Sequence, residues 1–516
     1  MERSRSEYSI LNIMTGFGGF FLNTIVGYIC RMVFVRYLSA AYLGVNGLFS
    51  NIISMLSLAE LGIGGAIGFA LYKPLARQDH EKVRALMRYF QKAYQGIALV
   101  VTVFGLLLMP LLPVIINNQP TINENIYVIY LFFLFNTASS YLFSYRSTLL
   151  TASQRNYVVL GMNYLFTTLQ SLIQIVVLVV TRNYILYLGI QTVTVLLNNL
   201  LVSKIALKVF PYLSEKSSVK LPRAEKKELF VNVKALTVNQ LSTLLVNNTD
   251  NIAMTYFDGL VSVGIVSNYT LLVNTLTTLT SQLFSGLTAG VGNLTAKESN
   301  LKKYSFFKTL NLANFWIFSW GAIGIAFVSN DLVQLCFGAE YVLDPGIAIL
   351  LAVNFYILGM QSSIYTYKNA MGLFKYSQYV LIFTAALNLI LDVLLGRLFG
   401  VAGIILATIA ARLLTNTWYE PYVVFRFGFK KSALLYLRTY LMYLIVLAAS
   451  AIFSFGLCQM CSFPVVQNVI VKMIICSIVP NVVCFLCFHK TDQGIELMRI
   501  IRRVVQLVSG HGVFRR

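Results

Sequence analysis

The stretch KALTVNQLSTLLVNNTDNIAMTYFD, residues 234–258, decides how the rest of the chain is interpreted. It is long enough to cross a bilayer as a helix, since about 20 residues span the hydrocarbon core. Helical spacing places Gln240, Thr243, Asn247 and Asp250 on one side of that helix. A carboxylate at membrane depth is costly unless it faces protein or trapped water. The stretch therefore predicts a helix that lines an internal cavity.

The composition extends this interpretation to the whole chain. Of its 516 residues, 57% are hydrophobic and 11% are charged, whereas a soluble domain carries about 25% charged residues. Apolar runs of membrane-spanning length recur from end to end, which predicts an all-α polytopic membrane protein with about 14 transmembrane helices. The net charge of +21 does not indicate nucleic acid as a partner, because the basic residues lie in alternate loops. That alternation predicts an even number of spans with both termini in the cytoplasm.

An internal repeat predicts the domain organisation. The segment YLSAAYLGV at 37–45 returns as YFDGLVSVGI at 256–265, and each opens a long span that ends in a basic loop. This predicts two parallel six-helix lobes, residues 1–228 with the linker and residues 229–430. Residues 431–516 then add two further helices and a basic amphipathic cytoplasmic tail, a composition suited to the anionic inner leaflet.

Charged residues inside the predicted spans are the candidates for function. Arg31 and Arg146 place guanidinium groups in the first lobe, and guanidinium suits phosphate oxygens through its planar fork. Arg412 adds a cation in the second lobe, and Glu60 is an acid at similar depth. Glu420 lies near a helix end and is expected to reach the membrane surface. For the other four residues, as for Asp250 and Asp392, an ion pair that only fixes helix packing explains each one equally well when it is taken alone.

Polar residues of three spans predict a cation site in the second lobe. Asn388 and Asp392 are four residues apart in predicted span 11 (376–395) and therefore share a helical face. Thr408 of span 12 (399–425) and Asp250 of span 7 (230–257) are expected to join them. Carboxylate, amide and hydroxyl oxygens are the ligands that a hard cation prefers. We expect Na+ or H+ as a coupling ion and no cofactor, and the lack of a Walker sequence argues against ATP as the energy source.

A resemblance adds to these inferences. Residues 31–73, RMVFVRYLSAAYLGVNGLFSNIISMLSLAELGIGGAIGFALYK, resemble the multidrug/oligosaccharidyl-lipid/polysaccharide exporter superfamily, and more specifically its polysaccharide-transporter branch of O-antigen and capsule repeat-unit flippases. The pattern extends over residues 8–430. It implies a V-shaped pair of lobes, alternating access and a place in a bacterial inner membrane. The implied partners are the bilayer and an isoprenoid-(pyro)phosphate-linked oligosaccharide, and the resemblance leaves open whether a polysaccharide polymerase works beside the protein.

The same resemblance assigns roles to individual residues. The related lipid II flippases have a sodium site built from a seventh-span acid, an eleventh-span Asn-x-x-x-Asp, and a carbonyl and a Thr of the twelfth span. The matching positions here are Asp250, Asn388, Asp392, Ile404 (through its carbonyl) and Thr408. On their own chemistry, Arg31 and Arg146, with Arg412, would bind the phosphate of the cargo. Glu60 would pair with an arginine and release it during the transport cycle.

Three other functions remain open on the sequence alone. The first is lipid II export, and the second is multidrug antiport by a protein of the same superfamily. An antiporter of cationic drugs needs an acidic, apolar cavity, and the basic first lobe argues against it. The third is a membrane-bound glycosyltransferase or polymerase, which would carry a large external domain, whereas the predicted external loops are short. We therefore predict a transporter rather than an enzyme, one that flips a lipid-linked oligosaccharide from the inner to the outer leaflet.

Overall fold

All regular structure in the described chain is helical, which confirms the all-α fold. The computed structural model describes residues 5–57, 67–68, 70–72, 74–75, 77–116, 122–215, 221–297, 299–373, 376, 378–461 and 463–508. The helices are α1 (Arg5–Tyr37), α2 (Ala40–Leu56), α3 (His80–Leu108), α4 (Ile126–Ala152), α5 (Asn156–Thr181), α6 (Tyr184–Val209), α7 (Arg223–Lys297), α8 (Asn300–Phe337), α9 (Pro345–Met360), α10 (Ser362–Ala370), α11 (Gln378–Leu414), α12 (Asn416–Val423), α13 (Leu434–Gln459), α14 (Val465–Phe488) and α15 (Asp492–Val508).

Within the described residues, 11 helical stretches are long and apolar enough to cross a membrane. One of them, Tyr379–Phe429, holds predicted spans 11 and 12, and the shorter apolar helix Ala40–Leu56 belongs to predicted span 2 (42–72). Helix α7 likewise contains predicted spans 7 (230–257) and 8 (261–294). The chain is therefore a multi-pass membrane protein, and its helices agree with the predicted number of spans.

Two glycines join successive spans without a loop. Helix α7 breaks at Gly259 (φ 82°, ψ 171°), and α11 breaks at Gly400 (φ 56°, ψ −134°). Both dihedral pairs lie where a side chain would be strained, so glycine is the residue that permits each break. The break in α11 also divides the predicted cation ligands into two groups.

The chain forms two compact units, Met1–Gly264 and Ile265–Arg516. This division lies within α7, whereas the sequence predicts a lobe boundary at residue 228; the lobes and their V shape stay predictions. In the first unit, α1 packs on α5, and α4 packs on both α3 and α6. The ring of Phe34 meets Tyr184 edge-on with centroids 6.0 Å apart, which ties α1 to the start of α6.

Helix α8 is the centre of the second unit. It packs against α9, α13, α14 and α15. The ring of Phe315 stacks on Tyr443 of α13 at 4.2 Å, and Asp331 forms a 2.7 Å ion pair with Lys472 of α14. The two helices that lie outside the predicted repeat therefore dock on α8 through both aromatic and charged contacts.

Candidate cation site and intramembrane charges

The break at Gly400 brings together polar residues from both halves of α11. Asn388 and Asp392 precede the glycine, while Ile404 and Thr408 follow it. Asn388 and Asp392 are 0% exposed and Thr408 is 2% exposed. Four of the five predicted cation ligands are thus buried within one element of the second unit.

Hydrogen bonds connect these four residues. The Asn388 amide nitrogen donates to Asp392 Oδ1 and to Thr408 Oγ1, at 3.2 Å in each case. The Thr408 hydroxyl donates to the carbonyl oxygen of Ile404 at 3.4 Å. The Asn388 side-chain oxygen has no hydrogen-bond partner among the described residues. A buried acceptor without a donor is costly, so this arrangement favours an additional positive group.

The donor set fits a hard monovalent cation. It offers a carboxylate, an amide oxygen, a hydroxyl and a backbone carbonyl, all of which are oxygen ligands. In the present arrangement the amide nitrogen of Asn388 points at the two other side chains. Rotation of that amide would exchange its nitrogen for the unpartnered oxygen and complete an oxygen shell. A cation would also stabilise the Asp392 carboxylate, which is 0% exposed.

The structure describes the other predicted functional residues only in part. Asp250 is partly buried on α7 and belongs to the first unit, and its role as a ligand stays a prediction. Glu60, the predicted gating acid, lies outside the described residues. The side chains of Gln240, Thr243 and Asn247, which led to the prediction of a cavity, also lie outside them.

Two arginines of the first unit are partly buried in apolar helices, as the phosphate hypothesis requires. Arg146 of α4 donates to the Ser203 hydroxyl of α6 at 2.5 Å, and its guanidinium lies 5.3 Å from the ring centre of Tyr145. Both partners are neutral, so neither cancels the positive charge of Arg146. Arg31 of α1 lies within electrostatic reach of Tyr187, which is also on α6.

Helix α6 shows how far apart these arginines are. Tyr187 and Ser203 are sixteen residues apart on that helix, which corresponds to about 24 Å along its axis. Arg31 and Arg146 therefore lie near opposite ends of α6. The structure does not bring them to one point.

The second unit holds an ion pair that sequence reasoning missed. Lys368 of α10 lies 2.8 Å from Glu420 of α12, and the two side chains are 7% and 0% exposed. The expectation that Glu420 reaches the membrane surface is wrong, because an ion pair with a buried lysine holds it inside the protein. Arg412 is also buried, at 7% exposure, one helical turn after Thr408. The sequence does not predict this pair, because Lys368 lies near the end of a predicted span, where a lysine side chain is expected to reach the membrane surface.

The two repeated segments also meet within the first unit. A Cβ atom on Gly44 would lie 1.9 Å from the Leu260 carbonyl oxygen, and one on Gly264 would lie 2.1 Å from the Ala40 carbonyl oxygen. Each glycine thus lets the backbone of the other segment approach. This reciprocal contact joins the residues at 37–45 and 256–265 that the sequence presents as a repeat.

Comparisons with known proteins place the fold. No family model matches the sequence, and no curated protein matches it either. Among solved structures, the chain is similar to the lipid II flippase MurJ in an inward closed conformation, with 14% identity over 92% of this chain and 99% of that chain and a TM-score of 0.66.

Two multidrug transporters are also similar. An inward-facing multidrug resistance MATE family transporter of the MOP superfamily shows 13% identity over 82% of this chain and 98% of that chain, with a TM-score of 0.55. The MATE multidrug transporter DinF-BH shows 17% identity over 82% of this chain and 95% of that chain, with a TM-score of 0.54. The chain therefore has the fold that the flippase and the multidrug transporters share.

Proposed function

We propose that this protein is a cation-coupled secondary transporter that flips an isoprenoid-(pyro)phosphate-linked oligosaccharide from the inner to the outer leaflet of a bacterial cell membrane, for surface polysaccharide assembly. Both termini lie in the cytoplasm in this proposal. The observation that carries it is the fully buried oxygen cluster of Asn388, Asp392, Ile404 and Thr408 within a fold shared with a lipid flippase.

The cluster supports cation coupling because it gathers oxygen ligands around a buried carboxylate. It contains the Asp392 carboxylate and three neutral oxygen donors. A carboxylate removed from water is stabilised by a cation at the same point. Na+ suits a set of oxygen ligands, and H+ on Asp392 is the alternative. An inward gradient of either ion would then drive a conformational cycle by binding and release at this position.

The charge of the first unit supports an anionic cargo. Arg31 and Arg146 lie in apolar helices near opposite ends of α6. A phosphate that moves between leaflets would exchange one guanidinium for the other, and each is able to bind phosphate oxygens with its planar fork. Intramembrane arginines repel the cationic substrates of multidrug antiporters, which makes multidrug transport the weaker alternative.

The test is flipping in reconstituted liposomes. A fluorescent isoprenoid-pyrophosphate oligosaccharide reports its leaflet through access of a membrane-impermeant quencher, with and without a Na+ or pH gradient. We expect flipping that depends on a gradient in the native protein and is lost in Asp392→Ala. Asp331→Asn is the matched control, since it removes an acid from the same unit outside the cluster, and it should keep the dependence on the gradient.

Three results would redirect the proposal. Flipping that ignores both the gradient and Asp392→Ala would retain the cargo and remove the cation site. Flipping of lipid II in preference to other oligosaccharides, or rescue of cells depleted of their own lipid II flippase, would reassign the cargo. Efflux of cationic dyes without flipping of any lipid would assign the protein to multidrug antiport.

A further inference from the structure

The buried ion pair of the second unit belongs to a wider polar cluster. The Lys368 ammonium lies 2.8 Å from Glu420 Oε1 and 4.6 Å from the centre of the Tyr365 ring. The Tyr365 hydroxyl donates to Gln361 Oε1 at 2.7 Å. The Lys368 ammonium therefore has two neighbours able to stabilise it, a carboxylate and an aromatic face. The Tyr365 ring would still stabilise the Lys368 ammonium if the Glu420 carboxylate changed partner.

Along the chain, Arg412 lies between the proposed cation site and Glu420. Helical spacing puts Ile404, Thr408 and Arg412 on one face of α11, each four residues after the last. Arg412 and Glu420 both lie within electrostatic reach of Tyr365. Between Thr408 and Glu420, Arg412 is the only charged residue in the sequence.

Neutral hydrogen bonds join the helix that carries Asp392 to the residues that precede Glu420. The Thr384 hydroxyl lies 2.8 Å from the Thr415 hydroxyl and donates to the Asn416 side-chain oxygen at 2.9 Å. All three residues are buried. Thr384, Asn388 and Asp392 also follow one another at four-residue spacing. A buried polar seam thus runs from Asp392 to the Lys368–Glu420 pair, and its charges alternate in sign.

We propose that Arg412 is a charge relay that couples cation binding at Asp392 to the Lys368–Glu420 ion pair. The inference rests on the proposed function, with Na+ as the ion. Na+ at Asp392 offsets the attraction of that carboxylate for Arg412, so Arg412 shifts its interaction towards Glu420. Glu420 then holds Lys368 less firmly, and the Lys368 ammonium depends more on the Tyr365 ring that it already faces. The cation thereby changes the contact between α10 and α12 without touching either helix.

Reciprocity makes this relay measurable. If Na+ binding changes the ion pair, the state of the ion pair must change Na+ affinity by the same factor. In Glu420→Gln, Arg412 loses one of the two carboxylates of the seam and competes with Na+ for Asp392, so affinity should fall roughly tenfold. In Lys368→Met, Glu420 is left without its lysine and draws Arg412 away from Asp392, so affinity should rise roughly tenfold.

The experiment uses the full-length protein in detergent. The unfolding temperature is followed while NaCl replaces choline chloride at constant ionic strength, and the midpoint of the stabilisation gives the apparent Na+ affinity. Asp331→Asn and Lys472→Met are the matched controls, because they break another partly buried ion pair of the same unit. They should leave the Na+ midpoint unchanged. In an Arg412→Met background, both shifts from Glu420→Gln and Lys368→Met should disappear.

Each outcome decides for or against the relay. Shifts of opposite sign that vanish with Arg412→Met support it, and damage to folding would not produce opposite signs. Shifts of the same sign, shifts that persist without Arg412, or equal shifts in the controls would overturn it. A Na+ response that is lost in Asp392→Asn but unmoved by changes at 368 and 420 would overturn the relay alone. A native protein without a Na+ response, or a response that survives Asp392→Asn, would overturn the proposed Na+ site and the relay together.

Discussion

The two units treat their intramembrane charges differently. In the first unit, Arg146 is met by the neutral groups of Ser203 and Tyr145. In the second, Lys368 and Glu420 are matched to one another and are almost fully buried. A charge with neutral partners is still able to attract a ligand of opposite charge, whereas the two charges of an ion pair largely cancel each other inside the protein. Under the proposed function, the first unit would use its charge for the cargo and the second would use its ion pair for internal coupling.

The largest expected effect comes from breaking the matched pair. Lys368→Ala leaves the Glu420 carboxylate buried without its ammonium partner, which should cost about 3–5 kcal/mol of stability. The comparison is Lys82→Ala, since Lys82 and Glu225 form a 2.9 Å ion pair whose side chains are 43% and 36% exposed. Exposed pairs contribute about 0–1 kcal/mol. Thermal unfolding of both variants in detergent measures the difference in stability. Equal losses of stability would contradict the burial of the Lys368–Glu420 pair.

The first unit contains a close backbone contact between its two repeated segments. Gly44→Ala would place a methyl group 1.9 Å from the Leu260 carbonyl oxygen, and Gly264→Ala would place one 2.1 Å from that of Ala40. Since backbone must move in each case, we expect a loss of about 1–3 kcal/mol, measured as a fall in the unfolding temperature in detergent.

Gly27→Ala is the matched control for this contact. Gly27 lies in α1, and a Cβ atom added there would meet no described atom within 4 Å. Replacing a helical glycine by alanine stabilises by about 0.5–1 kcal/mol. The changes in unfolding temperature should therefore have opposite signs at Gly27 and Gly44. A rise at all three glycines would show that the two repeated segments do not pack as closely as the structure has them.

The third prediction tests the unmatched charge directly. Arg146→Ala removes the guanidinium that the proposal assigns to the cargo phosphate, and the flipping rate should fall at least about tenfold, or roughly 1.4 kcal/mol. Arg146→Lys should recover only part of the rate, because an ammonium lacks the planar fork. Arg155→Ala is the control, since Arg155 contacts the ring of Phe210 instead. The Na+ midpoint should stay unchanged in all three variants.

Many features of the second unit could be predicted from the sequence, because the patterns that indicate them lie within short stretches of the chain. Asn388 and Asp392 share a helical turn, and the long apolar runs fix the helices that carry them. The spacing therefore leads directly to two members of the cluster, and the structure brings Thr408 and Ile404 to them. The burial of the two acids Asp392 and Glu420, each 0% exposed, has no comparable local signal in the sequence.

The contacts that sequence misses lie between helices distant in the chain. Lys368 and Glu420 are 52 residues apart, and each one alone resembles a residue that ends a span at the membrane surface. Arg146 and Ser203 are 57 residues apart, and serine in an apolar helix predicts no particular partner. Periodicity shows which face of a helix is polar, but the neighbouring helix that this face meets is set by packing of the whole unit.

The smallest effect should come from the hydroxyl that positions Arg146. Ser203→Ala removes a buried hydrogen bond to a charged group, yet it leaves the guanidinium and its charge in place. Such a bond contributes about 1.5–3 kcal/mol when both groups are inside the protein, but a bound phosphate would supply replacement acceptors, so only a few-fold loss of flipping is expected at saturating cargo. Thr194→Ala on the same helix is the control, because Thr194 bonds to Gln170 instead. If Ser203→Ala abolished flipping as fully as Arg146→Ala, the fixed orientation of the guanidinium would matter as much as its charge, and a cargo that simply follows the positive field would be the wrong description.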